Sequence, residues 1–183
     1  MIERTQETIL EAVRYPGYRW VVLGMAWVTL VCLHWSWYLI PSLEYCLSPE
    51  LSLTQAQFTL ILTGPPLVTI FTAIPGGALG DRYGIRLTVA IAAFLAGAFG
   101  LGRAFTSSFE GMFALMCLFG IALSIIIPSL PRLVGIWFPP RQAGFASGIY
   151  VTAMGIGMSL GLFTGPLFGG WRPAFTYIGI LTM

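Results

Sequence analysis

Long apolar runs separated by short polar punctuation organise this sequence. Cut at that punctuation, it yields five windows long enough to cross a bilayer, near Tyr18–Ile40, Phe58–Leu79, Ile85–Phe105, Met112–Ile136 and Ala143–Phe168, and a shorter one from Trp171 to the end. A hydrocarbon core is about 30 Å thick and a helix rises about 1.5 Å per residue, so each full window can span it. The last window, of about 13 residues, reaches only about 20 Å and reads as a chain that stops inside a helix. The pattern predicts an all-α, polytopic transmembrane bundle over 18–183. Residues 1–17 are expected to be a cytoplasmic polar tail or a short interfacial helix, with Ile9, Leu10 and Val13 as its apolar side. Glu3, Glu7 and Glu11 stand where a signal peptide carries its basic cluster, so no leader is expected there.

Composition supports a membrane setting. Hydrophobic residues make up 57% of the chain and charged ones 9%, against roughly 25% charged in soluble domains. All 9 basic residues are arginines, and they are unevenly placed. Arg4, Arg14, Arg19, Arg82, Arg86, Arg132 and Arg141 fall on one side of the predicted topology, Arg103 and Arg172 on the other. Cytoplasmic loops collect positive charge, which predicts a cytoplasmic N-terminus in a plasma or bacterial inner membrane. No basic stripe interleaved with aromatics suggests nucleic acid as a partner. Cys32, Cys46 and Cys117 lack metal or redox spacing, and without lysine there is no phosphate-binding loop of the Gly-Lys-Ser/Thr type. One histidine, no clustered carboxylates and no nucleophile beside a base argue against an enzyme, a cofactor or a metal site.

The most polar interruption is GGALGDRYGIR, residues 76–86, in the short turn between the second and third windows. Gly76, Gly80 and Gly84 recur every four residues, a spacing that lets helices approach closely in lipid. Asp81 is placed to accept from free N–H groups at a helix start, and Arg82 and Arg86 to reach phosphates or carboxylates. This stretch resembles the signature of the major facilitator superfamily, Gly-x-x-x-Asp-Arg/Lys-x-Gly-x-Arg/Lys, matched by Gly77, Asp81, Arg82, Gly84 and Arg86. GIWFPPRQAGFASGI, from Gly135, is similar to that family's turn between spans four and five. GLFTGPLFGGWRPAF, from Gly161, resembles the end of its span five, and Gly161, Gly165, Pro166, Gly169 and Gly170 match a glycine-proline motif best known in the family's antiporters.

The resemblance implies the N-terminal six-helix half of a secondary carrier, with the solute held between two halves near the midplane and exposed to each side in turn. It implies that the 76–86 turn latches one closed face and that Pro166 helps seal it. Helix packing alone also explains Ala153, Gly157, Gly161, Gly165 and Gly169, a four-residue ladder of small residues. Pro166 is expected to bend or end that helix. The sequence departs from proton-coupled relatives in one respect: Met116 stands four residues before Gly120, where they carry arginine. After Glu110 there is no carboxylate to extend a relay from Arg86.

Candidate solute or ion contacts lie in the first window. Trp20, Trp27, His34, Tyr38, Pro41 and Tyr45 recur at helical spacing along one face. His34 is the one side chain there whose charge changes near neutral pH. His34, Trp27 and Tyr38 are therefore the candidate cavity residues, with hydrogen-bonded packing as the competing role for His34. Gly64, Pro65 and Pro66 are expected to distort or start the second helix. The predicted partners are the lipid bilayer, a small-molecule solute, and a second six-helix half. The alternative is a half-size structural subunit bound to another membrane protein, because a bundle exposing polar cavity groups to lipid must be covered.

Overall fold

The computed structural model describes residues 17–183, apart from the side chain of Asp81. The expected tail or interfacial helix at 1–17 thus lies almost wholly outside the described residues. Seven α-helices and two 3₁₀ turns follow, with no strand among the described residues. They are α1 (Arg19–Ser42), α2 (Glu44–Glu50), α3 (Gln55–Tyr83), α4 (Ile85–Gly102), α5 (Phe109–Trp137), α6 (Pro140–Thr164) and α7 (Trp171–Thr182). Five, namely α1, α3, α4 with the turn at Arg103–Phe105, α5, and α6 with the turn at Gly165–Phe168, are long and apolar enough to cross a membrane.

The spans match the hydrophobic windows, and local chemistry sets their ends. Thr54 and Gln57 form a reciprocal capping box that starts α3 upstream of the apolar run. Ser108 caps α5 by accepting from the Gly111 N–H at 3.2 Å. The α3–α4 break is a single residue, Gly84, at φ 87°, a left-handed conformation that glycine adopts without penalty. α6 ends at Thr164, two residues before Pro166, and the chain turns through Gly169 at φ 67° before α7.

Pro65 and Pro66 do not start α3, which begins at Gln55 and continues past them as helix. Pro66 supplies no N–H to the Leu62 carbonyl, and the Trp37 indole of α1 donates to that carbonyl instead, at 3.2 Å. The Thr69 hydroxyl donates to the Pro65 carbonyl at 2.8 Å and to the Gly120 carbonyl of α5 at 3.2 Å. A neighbouring helix thus meets the backbone needs that a soluble helix would leave to water.

The bundle is two tight pairs, α1 on α6 and α3 on α5, tied together by α4 and α7. Glycine sets both pair distances. A Cβ on Gly157 would lie 2.5 Å from the Val31 carbonyl oxygen, and one on Gly161 would lie 2.7 Å from the Tyr38 carbonyl carbon. On the other seam, a Cβ on Gly120 would meet the Pro65 Cα at 2.7 Å, and one on Gly76 the Ser124 carbonyl oxygen at 2.9 Å. Without a hydrophobic drive between helices in lipid, such close backbone contact is the main source of attraction. Between the pairs, Leu30, Leu33, Phe119, Leu123 and Ile126 form a buried centre, and Leu39, Ile40, Met116, Trp171 and Phe175 form another nearer α7.

Candidate functional site

Three groups of polar residues stand out, one at each end of the bundle and one along the α1–α6 seam. At the end bearing Tyr18, the 76–86 turn joins α3 to α4. The motif glycines divide their work differently from the expected four-residue packing row. Gly76 faces the α5 backbone, whereas Gly77 and Gly84 have nothing within 4 Å of a built Cβ. Gly84 is needed for its backbone angle, not for packing. Arg132 of α5 donates to the Gly77 carbonyl at 3.2 Å and so joins α5 to the turn. Arg86 stacks on Trp137 at 5.0 Å, and Arg82 lies 5.6 Å from the Tyr83 ring. The candidate latch residue Asp81 sits in the last turn of α3, its side chain outside the described atoms.

Along the seam, the small-residue ladder packs on the candidate cavity residues. Gly157 lies under the His34 Cβ and Gly161 under Tyr38, while Gly165 meets Ser42. Gly169 leaves this row and serves the turn into α7, and Gly170 is the N-cap of α7. His34 is buried, with Nδ1 2.9 Å from the Leu30 carbonyl, an arrangement suited to donation along its own helix. The Trp27 indole donates to the Thr152 hydroxyl at 3.0 Å, and the Trp35 indole to the Thr164 hydroxyl at 2.8 Å. Thr152 and Ser159 of α6 are exposed in the bundle. Thus Trp27, His34 and Tyr38 share the seam with α6, two of them partly open and one enclosed. A separate cavity of about 940 Å³, lined by none of these three, opens beside the 76–86 turn.

At the opposite end lie two features that the sequence pattern did not single out. Arg103, expected at the end of the third window on the side opposite the 76–86 turn, is fully buried. Its Nη1 donates to the Ser36 carbonyl at 3.0 Å, and its guanidinium lies 4.4 Å from the Phe119 ring and 5.8 Å from Phe175. Its Nε and Nη2 have no partner among the described residues. The clue in the sequence was its setting, Gly-Arg-Ala-Phe, with no acid beside it. The second feature joins residues 122 apart. Glu50 Oε2 accepts from the Trp171 indole at 2.6 Å, and Oε1 accepts from Arg172 Nε at 3.2 Å and Nη2 at 3.1 Å. Arg172 also donates to the Ala104 and Thr106 carbonyls, where the end of the third span leaves acceptors free. This clasp ties α2, the third span and α7 together.

The Trp171 indole and then the Arg172 guanidinium hold the Glu50 carboxyl below its ordinary value of 4.5. A lowered folded-state pKa contributes stability above that ordinary value, and the contribution disappears as pH falls below it. The melting temperature of the unaltered protein should therefore exceed that of a Glu50→Gln variant at neutral pH. Thermal unfolding across a pH series should show the two converging below about pH 4.5, where the carboxyl takes up its proton.

Five helices long and apolar enough to cross a membrane, four of them in two glycine-tight pairs, with an Asp-Arg turn between α3 and α4, define a polytopic membrane protein. The Major Facilitator Superfamily model matches residues 26–183, and the chain belongs to that family. The "Probable nitrate/nitrite transporter NarK2" of Mycobacterium tuberculosis (strain CDC 1551 / Oshkosh) is 30% identical over 154 residues, covering 82% of this chain and 38% of its own. The "4-hydroxybenzoate transporter PcaK" of Pseudomonas aeruginosa is 29% identical over 145 residues, covering 75% of this chain and 31% of its own. The chain thus spans about a third of the length of these relatives. A crystal structure of a bacterial homologue of the human lysosomal transporter Spinster, inward-facing and occupied, superposes with a TM-score of 0.80 at 19% identity. It covers 90% of this chain and 42% of the other, and the likeness is one of fold.

Proposed function

We propose that the intact protein is a secondary active carrier that moves a small anionic solute by alternating access, with this bundle as its N-terminal half. The observation that carries the proposal is the open polar face of the α1–α6 pair. Thr152 and Ser159 are exposed there, and Trp27 and Trp35 turn indole N–H groups toward hydroxyls of α6. Polar groups at membrane depth face protein or a water-filled path rather than lipid, which suits a second half across that face with solute between. Trp27, His34 and Tyr38 are the proposed solute contacts. Gly77, Asp81, Arg82, Gly84 and Arg86 form the proposed latch, at a cytoplasmic end, and Pro166 the proposed hinge.

The anionic solute is inferred from relatives named for nitrate/nitrite, 4-hydroxybenzoate and hexuronate. Met116 supplies no charge for it on α5, so the counter-charge falls to the second half. The test is uptake by the full-length protein in proteoliposomes under imposed proton and solute gradients. Nitrate, 4-hydroxybenzoate, a hexuronate and a neutral sugar form the panel. Gradient-driven accumulation of at least one anion, with the sugar excluded, is expected. Stable co-purification with another membrane protein in fixed ratio, without uptake of any panel solute, would replace this reading with that of a non-transporting subunit.

A further inference from the structure

The 940 Å³ cavity beside the 76–86 turn is separate from the α1–α6 seam, and its shape and chemistry suit a lipid. Its walls are the first turns of α1 and α4 and the last turns of α5. At its mouth stand Tyr18, Tyr83, Arg86 and Trp137; beyond them the lining is apolar apart from Thr29, with half-buried Val22, Ala26 and Ala93 in the walls. From Tyr18 to Thr29, both lining residues, α1 rises about 16 Å, close to half of a roughly 30 Å hydrocarbon core. The slot therefore runs about one leaflet deep from an aromatic, basic rim.

Arg86 sits in the first turn of α4, where the helix dipole also favours an anion. Its guanidinium rests on Trp137 at 5.0 Å and has no hydrogen bond or ion pair among the described residues. With Arg82 exposed and Asp81 in the same turn, the turn carries one net positive charge. Tyr18, Met25, Tyr83, Leu87 and Ile136 remain exposed around the opening.

We propose that this cavity binds one anionic phospholipid of the leaflet at that end, its phosphate on Arg86 at the start of α4 and an acyl chain between α1 and α4. The site requires only that the chain is membrane-embedded, so it stands or falls independently of the transported solute.

The test is native mass spectrometry of the full-length protein in mild detergent, offered equal amounts of a phosphatidylglycerol and a phosphatidylcholine with the same acyl chains. A preference of about fivefold for phosphatidylglycerol is expected from one arginine at the site. Arg86→Gln should abolish the preference, Ala90→Trp should remove the bound lipid by filling the slot, and Arg141→Gln, outside the cavity, should leave both unchanged. Equal retention of the two lipids would overturn the proposal, as would equal losses in Arg86→Gln and Arg141→Gln or undiminished binding in Ala90→Trp. Binding that appears only when residues 1–16 are removed would assign the cavity to the N-terminal segment instead.

Discussion

Gly157→Leu should prevent the protein from accumulating in folded form, while Gly155→Leu, two positions away on the same helix, should leave it intact. The reason lies in what each new side chain would meet. At 157 the first added carbon falls 2.5 Å from the Val31 carbonyl oxygen and 2.7 Å from the His34 Cβ. The obstacle is backbone, so no rotamer change on α1 makes room. The helices must separate, and the α1–α6 seam then loses the neighbouring contacts of Gly161 and Ala153 as well. Overpacking a close interface costs typically 1–3 kcal/mol, and displacement of a whole seam should reach about 3 kcal/mol or more. At 155 nothing lies within 4 Å, and replacing a mid-helix glycine recovers backbone entropy of about 0.8 kcal/mol. Fluorescence-detected size-exclusion profiles and melting temperatures of the two full-length variants provide the comparison.

The second large effect concerns Arg103. Arg103→Ala should destabilise the protein by about 2–4 kcal/mol, while Arg103→Met should stay within about 1 kcal/mol of the unaltered protein. Alanine removes the stacking on Phe119, the bond to the Ser36 carbonyl and most of the side-chain volume, leaving a hole among α1, α5 and α7. Methionine keeps most of that volume. It also removes a charge whose Nε–H and Nη2–H edge, the side of the fork that receives carboxylates, has no partner among the described residues. A buried charge with one bonded nitrogen out of three is an expensive element, and an apolar replacement of similar size often does as well. Chemical or thermal unfolding of both variants separates the two outcomes. A methionine variant as unstable as the alanine one would show that the charge itself holds the helices together.

Most of the architecture was legible from one feature, the match between apolar run length and bilayer thickness. All six windows appear as helices, with ends within a few residues of those expected. The four-residue ladder in α6 was legible as a packing surface, but its partner was not, because small residues state a distance and not an address. The prolines of α3 do not start the helix, and local propensity could not name Trp37 of α1 as the group that satisfies the Leu62 carbonyl. The burial of Arg103 was not legible for a related reason. Polar punctuation marks where a span ends, yet the 3₁₀ turn at Arg103–Phe105 carries this arginine inward rather than toward water. Glu50 and Arg172 were invisible as a pair because 122 residues separate them. The Asp-Arg turn was read from its spacing, and the structure added the division of labour between Gly76, which packs, and Gly84, which turns.

In the proposed carrier, the exposed polar face of α6 borders a solute path shared with a second half. Ser159 tests it directly, since it is exposed and its hydroxyl only bonds back to the Gly155 carbonyl, at 2.8 Å. In full-length protein with Cys32, Cys46 and Cys117 changed to alanine, Ser159→Cys would be exposed to a membrane-impermeant maleimide from each side of sealed vesicles. Labelling from both sides is expected, with a severalfold change in rate when a transported solute is added. Labelling by a membrane-permeant reagent alone, unaffected by solute, would mean that this face meets lipid and would contradict the shared path.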